Sequence, residues 1–172
     1  IVYDPADQSS EVLLDGLNFA NGVALAADES FALVTETGHY RVVRYWLRGP
    51  RAGESEVILE LPSFPDNIER GSGGRFWVAL VSPRSTDLAA LSGSPFLRKV
   101  VQRLPAALQP DVVAYVHILA IDEDGQVLED LQDPSGAFEA NTSVLETADS
   151  LWLGSLTEQA IVRVRKADVG LE

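Results

Sequence analysis

The chain repeats one short design three times, and this repeat limits its possible folds more than any other feature of the sequence. The copies are "NGVALAADESFALVTETG" (21–38), "DNIERGSGGRFWVALVSP" (66–83) and "NTSVLETADSLWLGSLTE" (141–158). Each copy has two short β-rich runs joined by a polar turn, a pattern typical of a β-hairpin. Self-similarity of this kind indicates an architecture built from repeated structural units.

Each copy continues into further short strands, so that a complete unit has four. The first is followed by "RVVRYWL" and "SEVILEL", the second by "VHILAID" and "QVLEDL", and the third by "AIVRVR". Four-stranded units of about 45 residues are typical of the blades of a β-propeller, which stand around a central channel. We therefore predict an all-β fold of the β-propeller type.

The repeat divides the chain into four predicted units. They are a partial blade (1–17), a blade (18–61), a blade with an insertion (62–133) and an incomplete blade (138–172). This makes roughly three blades, whereas propellers close with about 4 to 8. Because a half-ring leaves strand edges exposed, we expect the missing N-terminal half of the propeller, or a second copy of the chain, to complete the ring. The chain contains no methionine, which favours a fragment or a processed chain.

The insertion in the second unit carries the signals of a helix. In "RSTDLAALSGSPFLRKVVQRLPAALQP" (84–110), Ser94 is a good N-cap, Pro95 suits the first helical position, and Pro105 would end the helix. We predict a helical insertion at about 85–108. Two roles stay open: packing of its apolar face on the propeller or a partner, or covering the end of the ring that holds Asp66 as a lid.

Composition and charge exclude several classes of function. There are 26 acidic and 13 basic residues, and the net charge of −13 disfavours nucleic acid as a partner, since a protein binds phosphates through Lys and Arg. The absence of cysteine excludes disulfides and thiolate metal sites. No run approaches the roughly 18 apolar residues of a membrane-spanning helix, and no targeting segment indicates a compartment.

Polar residues stand where each repeat begins its first strand. Asn21, Asp66 and Asn141 occupy equivalent positions in the three copies, and Asn67 follows Asp66. The first strands of propeller blades line the channel, so these side chains are expected to converge there. One carboxylate and several amide oxygens are the donors that a hard cation such as Ca²⁺ prefers. The alternative is that each residue is an ordinary turn former.

Two stretches resemble a known family. "LLDGLNFANGVALAADESFALVTETGHYRVVRYWLRGPRAG" and "FPDNIERGSGGRFWVALVSPR" resemble the strictosidine synthase-like family, which includes adipocyte plasma membrane-associated protein and is related to the paraoxonases and gluconolactonases. The resemblance implies a six-bladed propeller of which this chain is the C-terminal half. In those relatives the corresponding Asn and Asp bind a catalytic Ca²⁺, which implies a role for Asn21 and Asp66. In the paraoxonases the residue that corresponds to Asn67 is a further Ca²⁺ ligand. Asn141 is predicted as a ligand only from its equivalent position in the repeat.

The resemblance implies hydrolysis of a lactone or ester, in which bound Ca²⁺ polarises the carbonyl group and water attacks it. Asp66 is the candidate catalytic base, and Glu36 and Glu158 are further candidates at the ends of second strands. The catalytic glutamate of strictosidine synthase aligns with Thr142, which disfavours true strictosidine synthase activity. The alternative function is a non-catalytic binding or assembly module with a structural ion in its channel, because propellers host many unrelated functions.

Overall fold

The computed structural model describes residues 1–83 and 114–171, which form thirteen β-strands in four antiparallel sheets. Two short 3-10 turns, Thr37–His39 and Lys166–Val169, are the helical elements of this part of the chain. The helical insertion predicted at about 85–108 lies outside the described residues. None of the described helical segments has the length and apolar character needed to span a membrane.

Strands that are neighbours in sequence pair with each other in every sheet. The first sheet has β1 (Val2–Asp4) and β2 (Ser9–Glu11); the second has β3 (Ala20–Leu25), β4 (Phe31–Glu36), β5 (Arg41–Trp46) and β6 (Ser55–Glu60); the third has β7 (Ser63–Arg70), β8 (Phe76–Pro83), β9 (Val116–Ile121) and β10 (Val127–Asp133); the fourth has β11 (Asn141–Glu146), β12 (Ser150–Ser155) and β13 (Val162–Arg165). The predicted all-β fold is confirmed, with antiparallel sheets of four, four and three strands in succession after the first pair.

The polar turns between strands form as their residue types predict. Between β9 and β10, the Asp122 carboxylate accepts hydrogen bonds from the backbone N–H groups of Asp124 and Gln126, at 2.9 and 2.8 Å. Gly125 completes this turn with a φ of 83°, a value that favours glycine. Side-chain bonds of this kind reverse the chain within a few residues, and they bring adjacent strands into antiparallel register.

The core lies between successive sheets, and β8 is buried on both of its faces. Phe76, Val78 and Leu80 pack with residues of the second sheet in one apolar cluster. The alternate residues Trp77 and Ala79 belong to a second cluster, shared with the fourth sheet. Because side chains alternate across a strand, this division places the third sheet between the second and the fourth. The chain thus forms a row of stacked sheets.

A buried ion pair of the fourth sheet is hydrogen-bonded to side chains of the third. The side chains of Glu146 and Lys166 are 2% and 7% exposed, and Lys166 Nζ lies 2.5 Å from Glu146 Oε1. The Trp77 indole donates to Glu146 Oε2 at 2.7 Å, and the Ser72 hydroxyl donates to Oε1 at 2.6 Å. A buried charge is stable only when it is paired and hydrogen-bonded, and Glu146 meets both conditions.

Both ends of this row of sheets expose apolar side chains. At one end, Val23 and Leu25 of β3 are exposed and border a cavity of about 580 Å³ next to the segment from residue 1 to 17. At the other end, Leu145 and Ile161 are exposed. Apolar faces of this kind are typical of surfaces that another structural layer covers.

Candidate functional site

The first strand of each of the three larger sheets is irregular at the position of its predicted site residue. Pairing registers shift between Ala20 and Val23, between Pro65 and Ile68, and between Asn141 and Ser143. A β-bulge redirects side chains and is common near functional sites. The repeated asparagine and aspartate residues therefore stand at equivalent local distortions of their strands.

Gly22 allows two of these distortions to approach each other. A β-carbon at this position would lie 2.5 Å from the backbone nitrogen of Ile68 and 2.7 Å from the Cα atom of Asn67. No other residue type leaves that space open, since every other side chain carries a β-carbon. The glycine of the "NG" pair therefore lets β3 lie directly against β7.

Two threonines fasten this contact, Thr35 of β4 and Thr37 of the 3-10 turn that follows it. The buried Thr35 hydroxyl accepts a hydrogen bond from Gly22 N at 2.7 Å and donates one to the carbonyl oxygen of Asp66. The Thr37 hydroxyl donates to Pro65 O at 2.6 Å, and Asn21 Nδ2 donates to the same hydroxyl at 3.3 Å. The backbone on both sides of the site is thus held by side chains that the sequence interpretation did not select. Their signal was the run of three polar residues from Thr35 to Thr37 at the end of an otherwise apolar strand.

The structure brings Asn21, Asp66 and Asn67 together. Asn67 Nδ2 donates to Asp66 Oδ1 at 3.2 Å and to Thr142 O of β11 at 2.8 Å. Burial raises the pKa of the Asp66 carboxyl group, and the nearby Asn21 side chain opposes that rise. The second and third sheets supply the side chains, and the fourth supplies a backbone acceptor.

Asn141 has different partners from its counterparts in the repeat. Its side chain is fully buried, its Oδ1 accepts from His117 N at 3.2 Å, and its Nδ2 donates to His117 O at 3.1 Å. Both polar atoms of the amide are therefore bonded to the backbone of β9. The side chain joins the third and fourth sheets.

The two glutamates proposed as alternative bases have contrasting environments. Burial would raise the pKa of the Glu36 carboxyl group, but hydrogen bonds from Asn18 N, Arg41 and His39 hold it below its usual value. Asn18 N and Arg41 Nε both lie 2.6 Å from its oxygens. Glu158 lies exposed beyond β12. A carboxylate held in its charged form accepts a proton poorly at neutral pH, so Glu36 is unsuited to be a general base.

The donor chemistry at Asp66 fits a hard cation. The cluster offers one carboxylate and the carbonyl oxygens of two amides, which are the ligand types that Ca²⁺ prefers. Among residues 1–83 and 114–171, no group of three or more His, Cys, Asp and Glu side chains could hold a metal ion. Amide oxygens would therefore have to supply part of any ligand set here.

The sequence is similar to known proteins along most of its length. Residues 1–50 match the family model described as strictosidine synthase. The chain is 42% identical over 163 residues to strictosidine synthase-like 10 of Arabidopsis thaliana, with 91% of this chain and 44% of that protein covered. It is 36% identical over 171 residues to adipocyte plasma membrane-associated protein of Bos taurus, with 95% and 42% covered. The chain thus spans less than half the length of these relatives.

Solved structures share the fold at low sequence identity. A luciferin-regenerating enzyme matches with a TM-score of 0.58 and 17% identity, over 87% of this chain and 41% of that one. A gluconolactonase from Xanthomonas campestris gives 0.57 and 17%, over 88% and 39%. A calcium-binding regucalcin from Agrobacterium tumefaciens gives 0.53 and 14%, over 88% and 43%. These likenesses establish a propeller-type fold.

Proposed function

The chain is homologous to the strictosidine synthase-like proteins, and we propose that it forms part of a propeller that hydrolyses lactones or esters with the help of Ca²⁺. One observation carries this proposal. Asn67 Nδ2 donates to the half-buried Asp66 carboxylate, and Asn21, which belongs to a different sheet, is joined through the Thr37 hydroxyl to the carbonyl oxygen of the preceding residue, Pro65. The gluconolactonase and regucalcin folds support it, since a gluconolactonase acts on a lactone and that regucalcin binds calcium.

Asn21, Asp66 and Asn67 would hold the cation through their oxygen atoms, together with donors from the rest of the ring. A Ca²⁺ ion at this point would polarise a substrate carbonyl group and stabilise the oxyanion that forms when water adds. The proposal assigns Asn141 a structural role instead, because both of its polar atoms bind the backbone of His117.

Asp66 has the properties of a base for the attacking water. Burial raises the pKa of its carboxyl group, and a higher pKa makes a carboxylate a better proton acceptor. The Nδ2 group of Asn67 donates to the carboxylate at 3.2 Å and helps to hold it in place. In the proposed step, a carboxylate oxygen of Asp66 takes a proton from water while the water oxygen bonds to the substrate carbonyl carbon.

Condensation chemistry of the strictosidine synthase type is disfavoured. Thr142 stands where that enzyme has its catalytic glutamate, and a threonine hydroxyl does not titrate near neutral pH. Its backbone carbonyl is bonded to Asn67, which ties this position to the proposed cation site instead.

A second candidate function is a non-catalytic module with a structural ion. One observation favours it: the bonds around Asp66 link three sheets, from Thr35 of the second, through Asn67 of the third, to Thr142 O of the fourth. An ion at such a junction could serve to hold the sheets together. Fold alone does not decide between an enzyme and a module.

Hydrolysis and thermal unfolding of the metal-depleted full chain, measured with and without added Ca²⁺, separate the two functions. Phenyl acetate and a panel of lactones serve as substrates. We expect Ca²⁺-dependent turnover that Asp66→Asn abolishes without lowering the melting temperature of the metal-free protein, while Asp15→Asn, an exposed change, leaves both unchanged. A rise in melting temperature with Ca²⁺ and no turnover on any substrate would instead establish the module.

A further inference from the structure

The hydroxyl group of Thr37 determines which way the Asn21 amide faces. Thr37 Oγ1 lies 2.6 Å from Pro65 O and 3.3 Å from Asn21 Nδ2. A hydroxyl group has one proton, and a carbonyl oxygen can only accept, so that proton is committed to Pro65. Thr37 can then only accept a hydrogen bond from Asn21. This chemistry places the amino group of the amide towards Thr37, independently of how its nitrogen and oxygen are assigned.

The position of the Thr37 hydroxyl is itself fixed by the backbone. Thr37 N donates to Phe19 O at 3.0 Å, and the next residue, Gly38, donates to Asn18 O at 3.0 Å. These bonds hold the 3-10 turn that follows β4 against the segment leading into β3. The hydroxyl therefore acts as a fixed acceptor beside Asn21.

Asn67 is oriented by the same logic. Its Nδ2 faces Thr142 O at 2.8 Å and Asp66 Oδ1 at 3.2 Å, and at neutral pH both are acceptors only. Both N–H bonds of Asn67 are thereby committed. Within residues 1–83 and 114–171, no hydrogen bond reaches Oδ1 of Asn21 or of Asn67, so both amide oxygens remain available as ligands.

We propose that Thr37 is a positioning residue for the cation site: by accepting from the amino group of Asn21, it keeps the amide oxygen directed at a bound divalent cation. This inference rests on the cation site of the proposed function. Without the hydroxyl, the amide is free to turn and present N–H groups, whose positive ends repel a cation. Groups that orient metal ligands typically change metal affinity by about 10- to 100-fold when they are removed.

Calcium affinity of the full chain, measured by isothermal titration calorimetry after metal depletion, tests this role. Thr37→Val removes the hydroxyl with little change in shape, and we expect the dissociation constant for Ca²⁺ to rise about tenfold. Thr37→Ser restores the hydroxyl and should return the affinity to within about twofold of the wild-type value. Thr147→Val is the matched control, since the hydroxyl of that threonine bonds to Asp149 and Ser150 in the turn that follows β11.

Melting temperatures measured without metal distinguish a positioning role of Thr37 from a purely structural one. Melting curves of the Ca²⁺-free variants show how far each change weakens the fold, and a purely structural threonine would lower the melting temperature while leaving the dissociation constant unchanged. If Thr37→Val does not fold, Thr37→Ala, at this half-buried position, takes its place. Wild-type affinity in a folded variant without the hydroxyl would overturn this inference alone. Absence of Ca²⁺ binding by the wild-type chain within a complete ring would overturn the proposed function and this inference together.

Discussion

Gly22 approaches Asn67 so closely that a β-carbon at position 22 would stand 2.7 Å from the Cα atom of Asn67. The atoms in conflict belong to the backbone of β7, which cannot rotate away as a side chain can. The absence of a side chain at this one position therefore brings β3 and β7 together. The proximity of the Asn21 side chain to the Asp66 carboxylate depends on that contact.

We expect Gly22→Ala to separate the two strands and disrupt the site. Overpacking of this kind typically costs about 1–3 kcal/mol, so the urea midpoint of unfolding should fall and Ca²⁺ affinity should be lost. Gly154→Ala is the matched control, because a β-carbon there would meet the side chain of Ser143, its rotatable hydroxyl at 2.6 Å and its Cβ atom at 4.0 Å, rather than backbone. Equal effects of the two substitutions on Ca²⁺ affinity would contradict the assigned role of Gly22.

Asn21 and Asn141 should respond to alanine in opposite ways. Asn141→Ala removes two buried hydrogen bonds to the backbone of His117, and the loss of a hydrogen bond typically costs about 0.5–1.5 kcal/mol. Asn21 is exposed, so Asn21→Ala should lower Ca²⁺ affinity with little loss of stability. Calorimetric titration and chemical denaturation of both variants give the comparison. A loss of Ca²⁺ affinity in Asn141→Ala, with unchanged stability, would return Asn141 to the ligand set.

The repeat in the sequence predicted the hairpins and the meeting of Asn21, Asp66 and Asn67 because alternation and position are local properties of a strand. It predicted Asn141 as a fourth member of the same set. The structure instead bonds that amide to His117, since the partner of a side chain depends on the neighbouring sheet, and an alignment of strands contains no such information.

The environment of Glu36 likewise could not be predicted from the sequence. Its position at the end of a second strand suggested a general base, but Asn18 N, His39 and Arg41 converge on its carboxylate from the segment before β3 and from the turn and strand that follow. These contacts arise only when β3, β4 and β5 have paired. The sequence shows where a carboxylate stands along a strand but not which donors will surround it.

The pH dependence of the site should follow the raised pKa of Asp66. A carboxyl group whose pKa is higher in the folded state than in the unfolded state destabilises the fold when it ionises, so its contribution to stability falls as pH rises through that pKa. Without Ca²⁺, Asp66→Asn should therefore melt no lower than the wild type at neutral pH, and the difference should shrink at acidic pH. If Asp66→Asn melted at a lower temperature than the wild type at neutral pH, ionised Asp66 would stabilise the fold, and this prediction would be wrong.

The affinity for Ca²⁺ should fall as the pH is lowered. Because Ca²⁺ needs the ionised carboxylate, protons compete with the ion as pH falls, and burial moves this competition to a higher pH than for an exposed aspartate. Titrations across the acidic range should show affinity declining through the pKa of Asp66. An affinity that stays constant to well below pH 3.8, the ordinary value for aspartate, would remove Asp66 from the ligand set.

Glu146→Gln should strongly destabilise the chain at neutral pH. The substitution removes the carboxylate that neutralises Lys166 and accepts hydrogen bonds from Ser72 and Trp77. Breaking a buried ion pair from one side typically costs about 3–5 kcal/mol. Urea unfolding followed by tryptophan fluorescence measures the loss, and Glu158→Gln, an exposed change, should be nearly neutral. An unchanged midpoint for Glu146→Gln would show that the ion pair contributes nothing net.

The pH dependence of the stability lost in Glu146→Gln follows from the pKa of Glu146. Burial would raise this pKa, but hydrogen bonds from Lys166, Ser72 and Trp77 lower it from 4.5 to about 2. A carboxyl group with a lowered pKa stabilises the fold above its unfolded pKa, and this contribution disappears as pH falls from about 4.5 to about 2. The difference between wild type and Glu146→Gln should therefore be largest at neutral pH and shrink across that window, because protonation converts the wild-type carboxylate into a neutral group like the amide.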